Sequence, residues 1–390
     1  MAESTAAVTP TGSVPRGPSK TMTYGRSRLL LGISGVGTWV VLAAVALATG
    51  LPDWLTRLTR GGVGADALAL VALAFMVILV QAPFDLLGGY LLPRRHGRSS
   101  DRFAGYALHW LRGVAAYQLM YLLIGLLLLI ASRGLDAPGM VLVGVAATVF
   151  LLAGRTSLAC LISGMQRPES DAALGDDAAV MASSDVGFTG GIEGVLRARR
   201  QIVPRRWMES LSPELLLVAV RRRREAVVSG LWLRGRIASL AFTWIGLVIA
   251  GSQVHGLAGT SGGVLKFAAV FTLWSFLGLL VLPTLSRRGS MLIDTRLADQ
   301  GVGMSELSEL AAGLDSMQDD EPTRPKWVER VFHPIPNVTT RCGEPSSLRF
   351  AAWDVARTSA YLGMCGLSPL GRAVHCNSGR PSLWIYLPLD

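Results

Sequence analysis

Six stretches of the chain are nearly free of charge and long enough to cross a bilayer: Leu29–Leu51, Leu68–Leu87, Gly113–Ser132, Pro138–Gly154, Ile237–Leu257 and Phe267–Leu285. An apolar helix of about 20 residues spans the hydrocarbon core, where every backbone polar group has to be paired within its own segment. The pattern therefore predicts a mainly α-helical, polytopic membrane bundle of about six spans. The first stretch begins too far along the chain and runs too long for the apolar core of a cleavable signal. It is expected to remain as a span.

Charge between the stretches alternates. Arg16, Lys20, Arg26 and Arg28 precede the first, and Arg94, Arg95, Arg98, Arg102 and Arg112 lie between the second and third. The intervening loops hold only Arg57 and Arg60, then Arg133 alone, then Lys266 near the end of the fifth loop. Basic loops stay in the cytoplasm. Six spans with both termini cytoplasmic keep this alternation, and the expected location is the plasma (inner) membrane of a bacterium.

Composition sharpens this picture. Hydrophobic residues make up 51% and charged residues 16% of the 390, against about 25% charged in soluble domains. The net charge of +10 invites a nucleic-acid reading, but only Lys20, Lys266 and Lys326 are lysines. An arginine-biased genome obeying the cytoplasmic-charge rule accounts for the excess, so no nucleic-acid partner is expected.

The remaining segments divide the chain further. Residues 1–27, rich in Ser, Thr, Pro and Gly, are expected to be disordered. Spans one to four occupy 28–163, and 164–236 form a cytoplasmic segment that opens on an Ala/Asp/Ser linker, Pro168–Ser184. Spans five and six form a hairpin over 237–285, followed by a helix over 286–314. A cytoplasmic tail, 315–390, starts with an acidic linker (Asp315–Pro325) and closes on Gly379–Pro388, which reads as a short docking strand.

Several groups invite chemistry. Pro83 should kink the end of the second span, and Asp85 beside it reads either as a solvated interfacial anchor or as a functional polar site. Gly187–Gly194 suits a turn or an edge strand where backbones approach closely. Ser212 can cap a helix, with Pro213 at its first position and Glu214 in its first turn. Arg221, Arg222, Arg223 and Arg224 then read as a solvated cytoplasmic face or as a docking patch for anionic lipid or an acidic partner. Cys342, Cys365, His375 and Cys376 in the tail read as buried structural thiols, a metal site or a reactive nucleophile.

Four of these elements, in order, resemble CAAX prenyl proteases over roughly residues 70–345. They are Pro83-Phe84…Tyr90 with Gly97 and Ser99, Leu211-Ser212-Pro213-Glu214, Ser286-Arg287…Asp294, and His333-Pro334…Arg341. That family consists of integral-membrane zinc metallopeptidases. The resemblance places its His-Glu-x-x-His motif about two turns into the helix after Ser212. Histidines at i and i+4 share a helix face and ligate zinc, while the glutamate serves as general base. Here those positions hold Arg222, Arg223 and Ala226. The family's third ligand falls on Ser290, and the aspartate four residues on is kept as Asp294. A guanidinium and a methyl group cannot ligate zinc.

The resemblance thus implies a pseudo-peptidase without cofactor, keeping an internal chamber for binding or scaffolding. Asp85, Arg222, Arg223, Ser290 and Asp294 are expected to converge, with Arg222 or Arg223 paired to Asp294. The alternatives are an active membrane metalloendopeptidase with an unconventional zinc set such as His333, His375 and Cys376, or an accessory subunit of a membrane complex. The expected partners are the lipid bilayer, anionic lipid, or a membrane protein or peptide.

Overall fold

The first long helix starts where the side chain of Thr23 accepts a hydrogen bond from the Arg26 amide (3.3 Å). In the computed structural model the described residues are 22–60, 62–321, 324–341 and 350–388. Most of the segment expected to be disordered, and Cys342, lie outside them. Five helices are long and apolar enough to cross a membrane among the described residues. The first three helices are α1 (Tyr24–Ala48), an amphipathic α2 (Leu51–Thr59) and α3 (Val63–Leu86). Val71, Phe75, Met76 and Leu79 cover the outside of α3, a surface suited to hydrocarbon rather than water. Pro83 lies inside α3, and a π-helical turn, Leu87–Leu91, follows it before the short α4 (Leu92–Arg95).

Helix α5 (Phe103–Ala153) contains both the third and fourth expected spans. It reverses at Asp136, whose φ of 53° and ψ of −147° break the helix. A Cβ on Gly139 would lie 2.4 Å from the Ala131 carbonyl oxygen, a neighbour that an unbroken helix would hold about 12 Å away. The apolar passes therefore still number six. Near this reversal Asp66 accepts from Thr59 Oγ1 (2.8 Å), Arg133 Nη2 (2.7 Å) and Ser261 N (2.9 Å). One carboxylate thus ties three chain reversals together.

After α6 (Arg155–Ser163) the expected linker contains two strands, β1 (Glu169–Ser170) and β2 (Ala178–Met181). With β3 (Gly191–Glu193) and β4 (Arg200–Pro204) they form a sheet of order β1-β2-β4-β3, in which only β2 and β4 run parallel. Ala178, Val180 and Val203 face one way, into a cluster with Leu216 and Leu310, while Ala179, Met181 and Ile202 face the bundle. Both faces of β2 are buried, so the stretch does not alternate in hydrophobicity as a half-exposed strand would. That is why it read as linker.

The chain continues through α7 (Arg205–Ser210), α8 (Pro213–Val228) and α9 (Leu231–Ser252). Helix α10 (Ser261–Asp299) runs on from the sixth span with no break at Ser286, and the helix expected over 286–314 is instead interrupted at residues 300–303. Then come α11 (Met304–Met317), α12 (Lys326–Phe332) and α13 (Val338–Arg341).

The C-terminal segment departs most from the sequence reading. Residues 351–387, with α14 (Val355–Leu362) and α15 (Leu370–Ala373), return into the bundle rather than forming a separate tail, and all but four of them are buried. Leu383, Trp384, Ile385 and Tyr386 belong to the main hydrophobic cluster. No strand forms at Gly379–Pro388; a 3₁₀ turn, Pro381–Leu383, takes its place. The interior expected to be a chamber is largely filled by the chain's own end. An apolar cleft of about 270 Å³ remains among Trp39, Leu70, Val77, Tyr121 and Leu367.

Candidate functional site

The helix signals after Leu211 are realised in α8. Ser212 Oγ accepts from the Leu215 amide at 3.3 Å and Pro213 opens the first turn. This start fixes which side chains of α8 face α10. Arg222 and Ala226, one helical turn apart, are both buried, as are Ser290 and Asp294 on α10. Arg222 Nε donates to Asp294 Oδ1 at 2.5 Å. Ala226 packs with Ile293, Leu297 and Trp232 in a cluster closed by Trp353.

Arg223 turns elsewhere. Its guanidinium donates to the carbonyls of Ile202 (2.8 Å) and Thr189, and lies 4.6 Å from the centroid of the Trp207 ring. It therefore braces β4 and the glycine-rich turn rather than pairing with Asp294. Arg221 reaches Gln300 Oε1 at 3.2 Å, and Arg224 grips Asp177 through Nε and Nη2. Arg222 and Arg223 of the run are buried, while Arg221 and Arg224 stay exposed and are engaged by intramolecular partners.

Asp85 does not join this site. It is fully buried and accepts from Gln81 Nε2 (3.1 Å), Trp110 Nε1 (2.9 Å), the Gly379 amide (2.9 Å) and Arg372. Four donors keep a carboxylate inside the bundle that would otherwise be too costly to bury. Neither the solvated-anchor reading nor convergence with Arg222 holds: Asp85 fastens the returning C-terminal segment. The approach needs glycine, since a Cβ on Gly89 would lie 2.0 Å from the Gly379 carbonyl oxygen.

His333 and His375 come together, their ring centroids 5.0 Å apart. Cys376 does not join them; its sulfur accepts from Arg357 Nη1 at 2.8 Å. Asp319, which the sequence reading left in an acidic linker, stands beside both imidazoles. Burial pulls the His375 imidazole down to about 4 and holds His333 well below its ordinary value, with Arg324 and His375 adding to the effect at His333. Burial alone would push the Asp319 carboxyl up, but His375, Arg324 and His333 together hold it below the usual carboxylate range.

Sequence reasoning also missed the buried arginines Arg28, Arg155, Arg236 and Arg372. Arg28 donates to the carbonyls of Gly88 and His375, and Arg155 to that of Ile385 at 3.2 Å. Adjacency to a span made Arg28 look like a loop charge. A cation at a span boundary can equally point inward to receive carbonyls, and a partner more than 300 residues away leaves no local trace.

Zinc, which the resemblance to CAAX prenyl proteases implies, does not fit the α8–α10 face. At the positions the resemblance implies, the buried Arg222 guanidinium would donate where a ligand has to accept, and the Ala226 methyl group offers no donor atom.

No protein-family model matches the chain, and no curated protein matches it by sequence. Among solved structures, the crystal structure of Ste24p from S. mikatae aligns with a TM-score of 0.59 at 11% identity, covering 83% of this chain and 98% of that one. Ste24p is a CAAX prenyl protease, a membrane zinc metallopeptidase. At that identity the likeness is one of fold. The chain is an integral membrane protein with the mainly α, polytopic architecture of that protease.

Proposed function

We propose that this chain is a membrane-embedded pseudo-peptidase: a protein with the architecture of CAAX prenyl proteases that binds or scaffolds a partner without hydrolysing it. The observation carrying this reading is the Arg222–Asp294 pair, a buried cation on the helix face where the resemblance puts a metal. A second support is the C-terminal segment, which occupies the bundle interior that a substrate chamber would need. Proposed partners are lipid, a membrane protein or a membrane-borne peptide; the cleft of about 270 Å³ between spans is lined mostly by apolar side chains. The alternation of arginine-rich segments supports a bacterial inner membrane location with both termini cytoplasmic.

A second reading, an active metalloendopeptidase with an unconventional ligand set, is favoured by the meeting of His333 and His375. Against it, the polar cleft that His333 lines measures about 20 Å³, too small for a peptide. Purified full-length protein should leave a prenylated peptide intact with or without added zinc. Cleavage abolished by a chelator would overturn the pseudo-peptidase reading.

A further inference from the structure

Three potential ligand residues meet at the junction of α11, α12 and the returning C-terminal segment. Asp319 follows α11, His333 ends α12, and His375 follows α15. They are far apart in sequence, and each is held from outside the cluster. Gly32 on α1 makes room for His375, since a Cβ there would lie 2.5 Å from the His375 amide nitrogen. The His375 carbonyl accepts from Arg28, and the His333 amide donates to Glu329 O at 3.2 Å.

Asp319 Oδ2 lies 3.8 Å from His333 Nδ1 and 3.9 Å from His375 Nε2. One donor atom from each residue falls within 4.8 Å of the others. These separations are too long for hydrogen bonds. Ligand atoms arranged tetrahedrally at 2.0–2.1 Å from zinc stand roughly 3.3 Å apart, so the three side chains have to draw together around the ion. The His375 Nε2 atom, the one facing Asp319, is buried and has no hydrogen-bond partner among the described residues. A buried imidazole nitrogen is ordinarily satisfied, so this one calls for an occupant.

We propose that Asp319, His333 and His375 bind a divalent transition-metal ion, zinc foremost, which clamps the C-terminal segment against the ends of α11 and α12. Two imidazoles and one carboxylate are ligands suited to such an ion. Arg324 donates to Asp319 Oδ2 at 3.2 Å and to Asp315 Oδ1 at 2.9 Å, orienting the carboxylate as an outer-shell partner does. The polar cleft of about 20 Å³ beside His333 has room for about one water as a fourth ligand. Arg324, Arg357 and Arg28 oppose a cation here by charge, and Asp315 offsets Arg324 in part. The site is closed and structural. It lies on elements other than the α8–α10 face and is independent of whether that face hydrolyses anything.

The test is metal binding to the full chain in detergent, stripped with a chelator, freed of it and titrated with zinc or cobalt(II). About one ion per chain is expected, as for a closed three-residue site with water. The double variant Arg222→Leu/Asp294→Leu should keep that ion, whereas His333→Asn, His375→Asn and Asp319→Asn should lose it while eluting as the parent protein does. Should those variants fail to fold, the cobalt spectrum of the parent decides: visible bands without thiolate charge transfer support the site. A thiolate band would bring Cys376 into the shell and overturn this assignment. So would a parent chain that binds no ion, or a folded His333→Asn/His375→Asn variant that binds as many ions as the parent.

Discussion

Arg222 on α8 and Asp294 on α10 meet at 2.5 Å, both buried, in the space between two helix faces. A buried ion pair is weak support for stability, but a buried charge without its partner costs about 3–5 kcal/mol. Arg222→Leu or Asp294→Leu alone should therefore lower the unfolding free energy by about that amount. Replacing both with leucine should restore a large part of it, because neither charge of the pair is then left buried without the other. Thermal unfolding in detergent checks this. A double variant as unstable as the sum of the two singles would show that the pair is not coupled.

Asp85 and Arg372 couple the second span to the C-terminal segment in the same way. Asp85→Ala should strand Arg372 and the Gly379 amide, costing about 3–5 kcal/mol and exposing residues 351–387 to protease. Limited proteolysis followed by mass mapping should find new cuts in that segment before any in α5 or α10.

Much of the fold was legible in the sequence, for reasons specific to membranes. A bilayer demands helices about 20 residues long, so apolar runs mark their own positions, and arginines mark the loops. The Ser212–Glu214 helix start was legible because caps act locally. What stayed hidden depends on distance. Nothing near Pro168–Ser184 announced strands, since β2 finds its partner β4 more than 20 residues later and buries both faces. Nothing near Gly379 announced Asp85. The tail read as cytoplasmic because its apolar runs are too short to span, although they are long enough to fill a bundle. At the candidate site, the family resemblance singled out Arg222 and Asp294, but Asp319 looked like one more acid in a linker.

Glycine tolerances separate docking from helix propensity. Gly379 has a φ of +72° and a Cβ there would lie 1.9 Å from the Asp85 carbonyl oxygen, so Gly379→Ala should destabilise by more than about 1 kcal/mol. Gly37 in α1 has nothing within 4 Å of an added Cβ, so Gly37→Ala should stabilise by about 0.4–1 kcal/mol. Unfolding midpoints of the two variants, compared with the parent, test this pair of signs.

Asp185 carries a pH dependence of defined sign. Burial would raise its carboxyl, but Arg380 outweighs that and holds it below its ordinary value. A lowered carboxylate contributes stability that is present above its unfolded value of about 3.9 and is lost as pH falls through the folded one. Asp185→Asn should therefore flatten part of the acid-side loss of stability below about pH 4, as read from unfolding midpoints between pH 7 and pH 3.

The proposed function requires the α8–α10 face to be a former ligand frame now closed by charge. Restoring that frame is the most direct measurement: Arg222→His, Ala226→His and Ser290→Glu in one chain, with zinc counted against the parent. The expected result is one additional tightly bound ion per chain, as for a complete ligand set of two histidines and a glutamate. A folded variant that gains no zinc would contradict it, because the two helix faces would then not be where a metal once sat.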